Sequence, residues 1–159
     1  GLNKLLEGVD PSLYHLHHSI TNEELEIMHT RARVVIAPLL SGAGVKGKVL
    51  SAFTHGVPVV GTEVAFEGLG IQNASHCLVA NSGVSFAAAV DLLFDDCQLW
   101  SRLSANSLSH VSHNFGWISA RKGLEHMLTV GLKLHPKRCH RSTSIFLSTL
   151  QTYISFANM

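Results

Sequence analysis

Residues 31–69, RARVVIAPLLSGAGVKGKVLSAFTHGVPVVGTEVAFEGL, carry the pattern on which the fold turns. They begin with Val34-Val35-Ile36, a β-branched run closed by Pro38, which suits a buried strand. A glycine-rich loop follows, running from Gly42 to Lys48. The next stretch places Val49, Leu50, Ala52 and Phe53 on one helical face, and Gly56 stands where a helix-ending glycine is expected. A second apolar run, residues 57–60, reads as another strand and leads into a loop through Thr62, Glu67 and Gly68. Strand, turn, helix and strand at this spacing predict a crossover connection and a parallel sheet.

The same alternation extends outward from this core. Upstream, residues 2–7 look like the end of a helix, stopped by Gly8 and Pro11. LYHLHH, residues 13–18, alternates apolar and polar positions and predicts a strand. Thr21 and Glu24 stand in capping-box register ahead of a helix at 23–30. Downstream, Cys77-Leu78-Val79-Ala80 predicts a further strand, and residues 84–94, 98–111 and 117–130 predict three helices that pack over the sheet. From His135 the character changes, because HPKRCHRS is basic and broken by proline while the final residues are apolar with scattered hydroxyls. Residues 145–157 are too short and too hydroxylated for a membrane span, which leaves an amphipathic addition, a disordered tail or an interfacial segment.

Composition excludes several classes. A chain of 159 residues with 46% hydrophobic and 14% charged residues can bury a real core, so disorder over most of its length is not expected. Twelve Lys and Arg against eleven Asp and Glu leave a formal net charge of +1, so no global basic field favours nucleic acid and any anion recognition is local. Cys77, Cys97 and Cys139 form no C-x-x-C pair, in keeping with a fold that does not rest on disulfides and with a reducing compartment. The opening GLNKLLEGVDPS lacks the basic and apolar regions of a signal peptide and does not start with Met, so the chain is expected to be a piece of something larger.

The glycine loop fits two nucleotide motifs. Gly42 to Lys48 spell G-x-x-x-x-G-K, but Val49 stands where a P-loop needs a hydroxyl for Mg²⁺. Gly42, Gly44 and Gly47 spell the dinucleotide fingerprint, with Glu63 about where a ribose-binding acid belongs, but Pro38-Leu39-Leu40-Ser41 separates the strand from the turn. A purely structural reading, glycines permitting a tight turn, also stays open. Common to the first two is a set of bare amides at a helix start, which favours an anion close to the backbone.

Residues 31–69 resemble the C-terminal, nucleotide-sugar-binding domain of GT-B fold glycosyltransferases, of family 4 or a close relative. The similarity continues through HCLVANSGVSFAAAVDLLFDDCQLWSRLSANSLSHV and covers residues 13–128. The resemblance implies an α/β fold, a Rossmann-like parallel sheet flanked by helices, with an extra C-terminal helix or tail. It divides the chain into a partial nucleotide-sugar-binding domain at 1–132 and a basic linker with an apolar tail at 133–159. It also implies that Gly42, Ala43 and Gly44 offer amides to the donor's diphosphate, and that Lys46 or Lys48 adds a cation where a P-loop would use a metal.

Many members of that family carry two glutamates eight positions apart, which fall here on Ala43 and Ser51, so both carboxylates are absent. Ser51 keeps one hydroxyl of shorter reach for the ribose. Glu67 and Gly68, in a turn similar to those of relatives, fall near the donor pocket; capping of local amides is the competing role for Glu67. The implied activity is transfer of a sugar from a nucleotide-diphosphate donor, with retention and without a metal or other cofactor. The acceptor is a glycan, lipid or small molecule, and the acceptor-binding half lies N-terminal to this segment, so the piece alone is expected to be inactive and no catalytic residue is assigned. Peripheral membrane contact and a cytoplasmic location fit better than secretion.

Weaker constellations remain. His15 and His17 share a strand face without a third metal ligand nearby, His135, Cys139 and His140 resemble a metal cluster in composition only, and Asn73-Ala74-Ser75 is a glycosylation triplet that matters only in a secreted protein. Two other functions stay open beside the transferase: a non-catalytic module that has kept the fold, and an NAD(P)-binding domain.

Overall fold

Three parallel strands in the order β1 (Val35–Ala37), β2 (Val59–Gly61) and β3 (Leu78–Val79) form the sheet. The computed structural model describes residues 7–42, 44 and 46–134. Helix α1 (Asn22–Arg31) precedes β1, α2 (Gly47–Thr54) crosses from β1 to β2, and the short α3 (Glu63–Phe66) follows β2. Helices α4 (Gly83–Asp95), α5 (Cys97–Asn114) and α6 (Trp117–Leu134) complete the described chain. The residues group into two units, Gly1–Ser109 and His110–Met159, and the sheet belongs to the first.

Local chemistry sets the helix starts. Thr21 and Glu24 form the expected capping box, with the Glu24 amide bonded to Thr21 Oγ1 at 3.2 Å and the Thr21 amide to Glu24 Oε2 at 2.8 Å. Replacing Thr21 with alanine is expected to cost about 1 kcal/mol of stability, read as a lower midpoint of urea unfolding. Ser82 and Ser85 cap α4 in the same reciprocal way, and Asp96 accepts from the Gln98 and Leu99 amides at the start of α5. Gly56 ends α2 with φ +67°, a conformation open to glycine at little cost, as its place in the sequence predicts.

Val60 of β2 packs with Ala80, Leu93, Leu99 and Leu103, joined by Phe86, Val90 and Trp100, so α4 and α5 cover that face of the sheet. By strand alternation Gly61 looks to the other side, where Ala65 and Phe66 of α3 lie against it. Val49, Ala52 and Phe53 of α2 are buried, as the helical face in the sequence requires. Arg33 lies over the rings of Phe94 and Trp100, and the Trp100 indole donates to the Arg33 carbonyl at 2.7 Å, which ties the approach to β1 onto α4 and α5.

Three expectations are corrected. Residues 13–18 form no strand: Asp10 caps a 3-10 turn at Pro11–Leu13, and the chain beyond it is irregular, with Leu13 and Leu16 exposed. Alternation alone makes no strand when no neighbouring backbone is there to pair with it. Strand β1 is only partly buried, since among the described residues no strand pairs with its other side. The Val35 amide bonds to the Pro58 carbonyl and the Thr62 amide to the Ala37 carbonyl, so Ile36, 59% exposed, turns its backbone away from β2. The loop after β2 contains α3, because Thr62 Oγ1 caps the Ala65 amide. The segment 135–159, with His135, Cys139 and His140, and the helix end expected within residues 2–6 lie outside the described residues.

Candidate functional site

Parallel strands send all their carboxyl ends to one edge of the sheet. Here that edge gathers the glycine loop after β1, the start of α3 after β2, and Asn81-Ser82 after β3. Open α/β sheets bind their ligands outside this edge. Two hydrogen bonds stitch it together: the Thr62 hydroxyl donates to the Leu39 carbonyl, and the Glu63 amide donates to Asn81 Oδ1 at 3.4 Å. Sequence reasoning passed over Thr62 and Asn81. The signal for Thr62 was there, a hydroxyl residue just past a strand and three positions before a helical alanine.

Within the glycine loop Gly42 has φ +152° and Gly44 φ +92°, so both need a residue without a Cβ. Ala43 and Val45 lie outside the described residues. Lys46 is the N-cap of α2 and makes no side-chain capping bond, in contrast to the residues that cap α1, α3 and α4. Its carbonyl accepts from the Val49 and Leu50 amides at 2.9 and 3.1 Å. The Gly47 and Lys48 amides have no partner among the described residues, and the positive end of the helix dipole lies at this turn.

The two lysines differ sharply. Lys46 is 8% exposed, and its ammonium donates to the carbonyl of Gly42 in the same loop. One neutral carbonyl satisfies one of three N–H donors and none of the charge. No carboxylate neutralises it, since the ion pair present among the described residues is Arg121 with Glu125 on α6. Burial of an ammonium without an anion is costly, and an anion at the helix start would relieve it. Lys48, two residues on, is exposed and has no partner among the described residues. Val49, at the position where a P-loop carries its metal-binding hydroxyl, is 1% exposed and belongs to the core.

The remaining expected residues are dispersed along the same edge. Ser51 is half-buried one helical turn beyond Lys48, and its hydroxyl has no partner among the described residues. Glu67 and Gly68 close α3, with Gly68 at φ +77°. The Glu67 carboxylate is exposed and caps no amide among the described residues. Glu63, the acid of the dinucleotide reading, is exposed in the first turn of α3.

Other chemistry is scarce among the described residues. No three His, Cys, Asp or Glu side chains gather around a point, so His15 and His17 acquire no third ligand. Burial pushes the Cys77 thiol up to about 12, which removes it as a nucleophile, and Cys97 is an exposed thiol whose sulfur accepts from the Arg33 guanidinium at 3.7 Å. The Asn73 side chain accepts from the Val79 amide at 2.9 Å and so closes a turn beside β3. No helix of the described chain is long and apolar enough to cross a membrane.

Fold and site together define an α/β domain with a Rossmann-like parallel sheet, whose glycine turn opens α2. The sequence profile of the group 1 glycosyl transferases matches residues 1–96, and the chain belongs to that family. A relative described as an uncharacterized 44.6 kDa protein in the cps region of Klebsiella pneumoniae is 29% identical over 114 residues, which are 72% of this chain. The matched part is 29% of that relative's length, so the chain spans under a third of it.

Proposed function

We propose that this chain is the donor-binding part of a glycosyltransferase that takes its sugar from a nucleotide-diphosphate carrier. The observation that carries the reading is the buried, anion-free ammonium of Lys46 beside the uncapped start of α2. In the bound state Lys46 exchanges the Gly42 carbonyl for a diphosphate oxygen, and Lys48 adds a second cation from solvent. The amides of Gly42 and Gly44 line the approach, with that of Ala43 added by family likeness alone, Gly47 and Lys48 donate from the helix start, and Ser51 offers one hydroxyl to the ribose. Glu67 and Gly68 border the sugar.

The diphosphate leaving group then gains its charge against fixed donors, the kind of stabilisation that acts most strongly as charge develops. Retention and independence from metal are part of the proposal through family likeness. The acceptor, a glycan, lipid or small molecule, is held by polypeptide N-terminal to this segment, so the 1–132 region works as half of a cleft, at the cytoplasmic side.

Gly44→Val tests the loop directly, because a β-branched residue at φ +92° is strained whatever space surrounds it. In the full-length protein, assayed with radiolabelled nucleotide sugars, it is expected to raise the donor KM about tenfold or more. An unchanged KM contradicts the loop's role. A second reading, a non-catalytic module, is favoured by Ala43 and Ser51 standing where many relatives have glutamates. It predicts silence with UDP, GDP and ADP in a calorimetric titration of the folded, full-length protein.

A further inference from the structure

Away from the carboxyl edge, at the opposite end of α2, two histidines from different helices meet. His29 of α1 and His55, just past α2, stack with ring centroids 4.9 Å apart and planes inclined by 18°. His29 is 6% exposed, and its Nδ1 is buried without a hydrogen-bond partner. His55 Nδ1 lies 2.8 Å from the Ser51 carbonyl, which can only accept, so Nδ1 carries the proton and Nε2 is the site that remains to be protonated.

The pair is not a metal chelate, because planes so nearly parallel do not meet within a metal–nitrogen bond length of both rings. Nor is it a carboxylate-supported pair. Among the described residues the one titratable group acting on His29 is His55; the Leu25 carbonyl on its own helix is the other polar influence. Around His55 stand the Ser51 carbonyl and the Thr54 hydroxyl, and α5 sends the uncharged Ser104 hydroxyl to the neighbouring Gly56 carbonyl.

We propose that His29 and His55 form a proton-operated clasp between α1 and α2, closed while both rings are neutral and released when His29 takes a second proton. A protonated His29 would place a cation in a buried position against a stacked imidazole, with the Leu25 carbonyl as its one opposing influence and no carboxylate among the described residues to balance it. Desolvation first and then His55 hold its pKa below the ordinary 6.5, against a smaller opposing pull from the Leu25 carbonyl. The sign follows. A base whose folded pKa is depressed leaves stability untouched above the unfolded value of 6.5 and lowers it as pH falls below that value, until the folded ring itself protonates.

Hydrogen exchange on the full-length protein, corrected for intrinsic rates, measures the opening of α1. The opening constant is expected to rise up to about tenfold per pH unit below 6.5, while α4 stays protected. His29→Phe keeps a stacked ring that does not titrate, and the slope in α1 should vanish. Should that variant not fold, NMR titration of the imidazoles decides with the wild type and His55→Gln. The clasp requires His29 to titrate below 6.5 in the wild type and higher once His55 is gone. Titration of folded His29 at or above 6.5, or an unchanged α1 slope in His29→Phe, overturns it.

Discussion

Replacing Lys46 with methionine is expected to weaken binding of a nucleoside diphosphate by about 10- to 100-fold, the range of a charge-assisted hydrogen bond to a buried partner. Methionine keeps an unbranched, apolar stem one heavy atom shorter than lysine at a site that is 8% exposed, so the loss mainly reports the charge. The same change should leave the free protein as stable or make it more so, because it removes a buried ammonium that has no anion. Lys48→Ala should weaken binding less, and salt should erode that smaller effect further, since Lys48 is exposed. Calorimetry with each variant at two ionic strengths reads all of this. Equal losses for the two lysines would contradict the division of labour.

The second large effect is one of stability. A Cβ at Gly61 would stand 2.8 Å from Phe66 Cζ and 3.0 Å from Ala65 Cβ. Both neighbours are buried, so neither has room to give way. Gly61→Val adds two methyl groups beyond that Cβ and is expected to cost about 3 kcal/mol, the upper part of the range for overpacking a core. Urea unfolding should show a lower midpoint at an unchanged slope. Phe66→Leu in the same background should recover part of the loss, because it removes the ring atoms that the new side chain meets. No recovery would mean that the clash lies elsewhere. Any shift of α3 also moves Glu67 and Gly68, so donor affinity should suffer in the fraction that stays folded.

Much of this architecture was legible in residues 21–69. Periodicity revealed the buried face of α2, Gly56 marked its end, and Thr21 with Glu24 marked the start of α1, because each depends on neighbours within a few residues. What failed depended on partners distant in sequence. The alternation at residues 13–18 could not reveal that no strand among the described residues lies beside it, and the β-branched run around Ile36 could not reveal that β2 is its one partner strand among them. Helix α3 was hidden by its four-residue length, too short for any period to show.

The site was legible as a set of residue types but not as a distribution of roles. In sequence, Lys46 and Lys48 are equivalent cations two positions apart. Their difference comes from the turn of α2, which carries one into the fold against Gly42 and leaves the other in water. The stitch from Thr62 to Leu39 joins residues 23 apart and needs β1 and β2 to be paired before it exists. The stack of His29 on His55 likewise joins two helices that no local pattern connects.

Calorimetric titration of the full-length protein with UDP, GDP, ADP and NAD(P) tests the central claim most directly. The buried ammonium at the start of α2 predicts that at least one nucleoside diphosphate binds, that Lys46→Met and Gly44→Val both weaken it, and that nicotinamide cofactors do not compete. Silence with every diphosphate in a folded protein, or the same affinity in both variants as in the wild type, would contradict it.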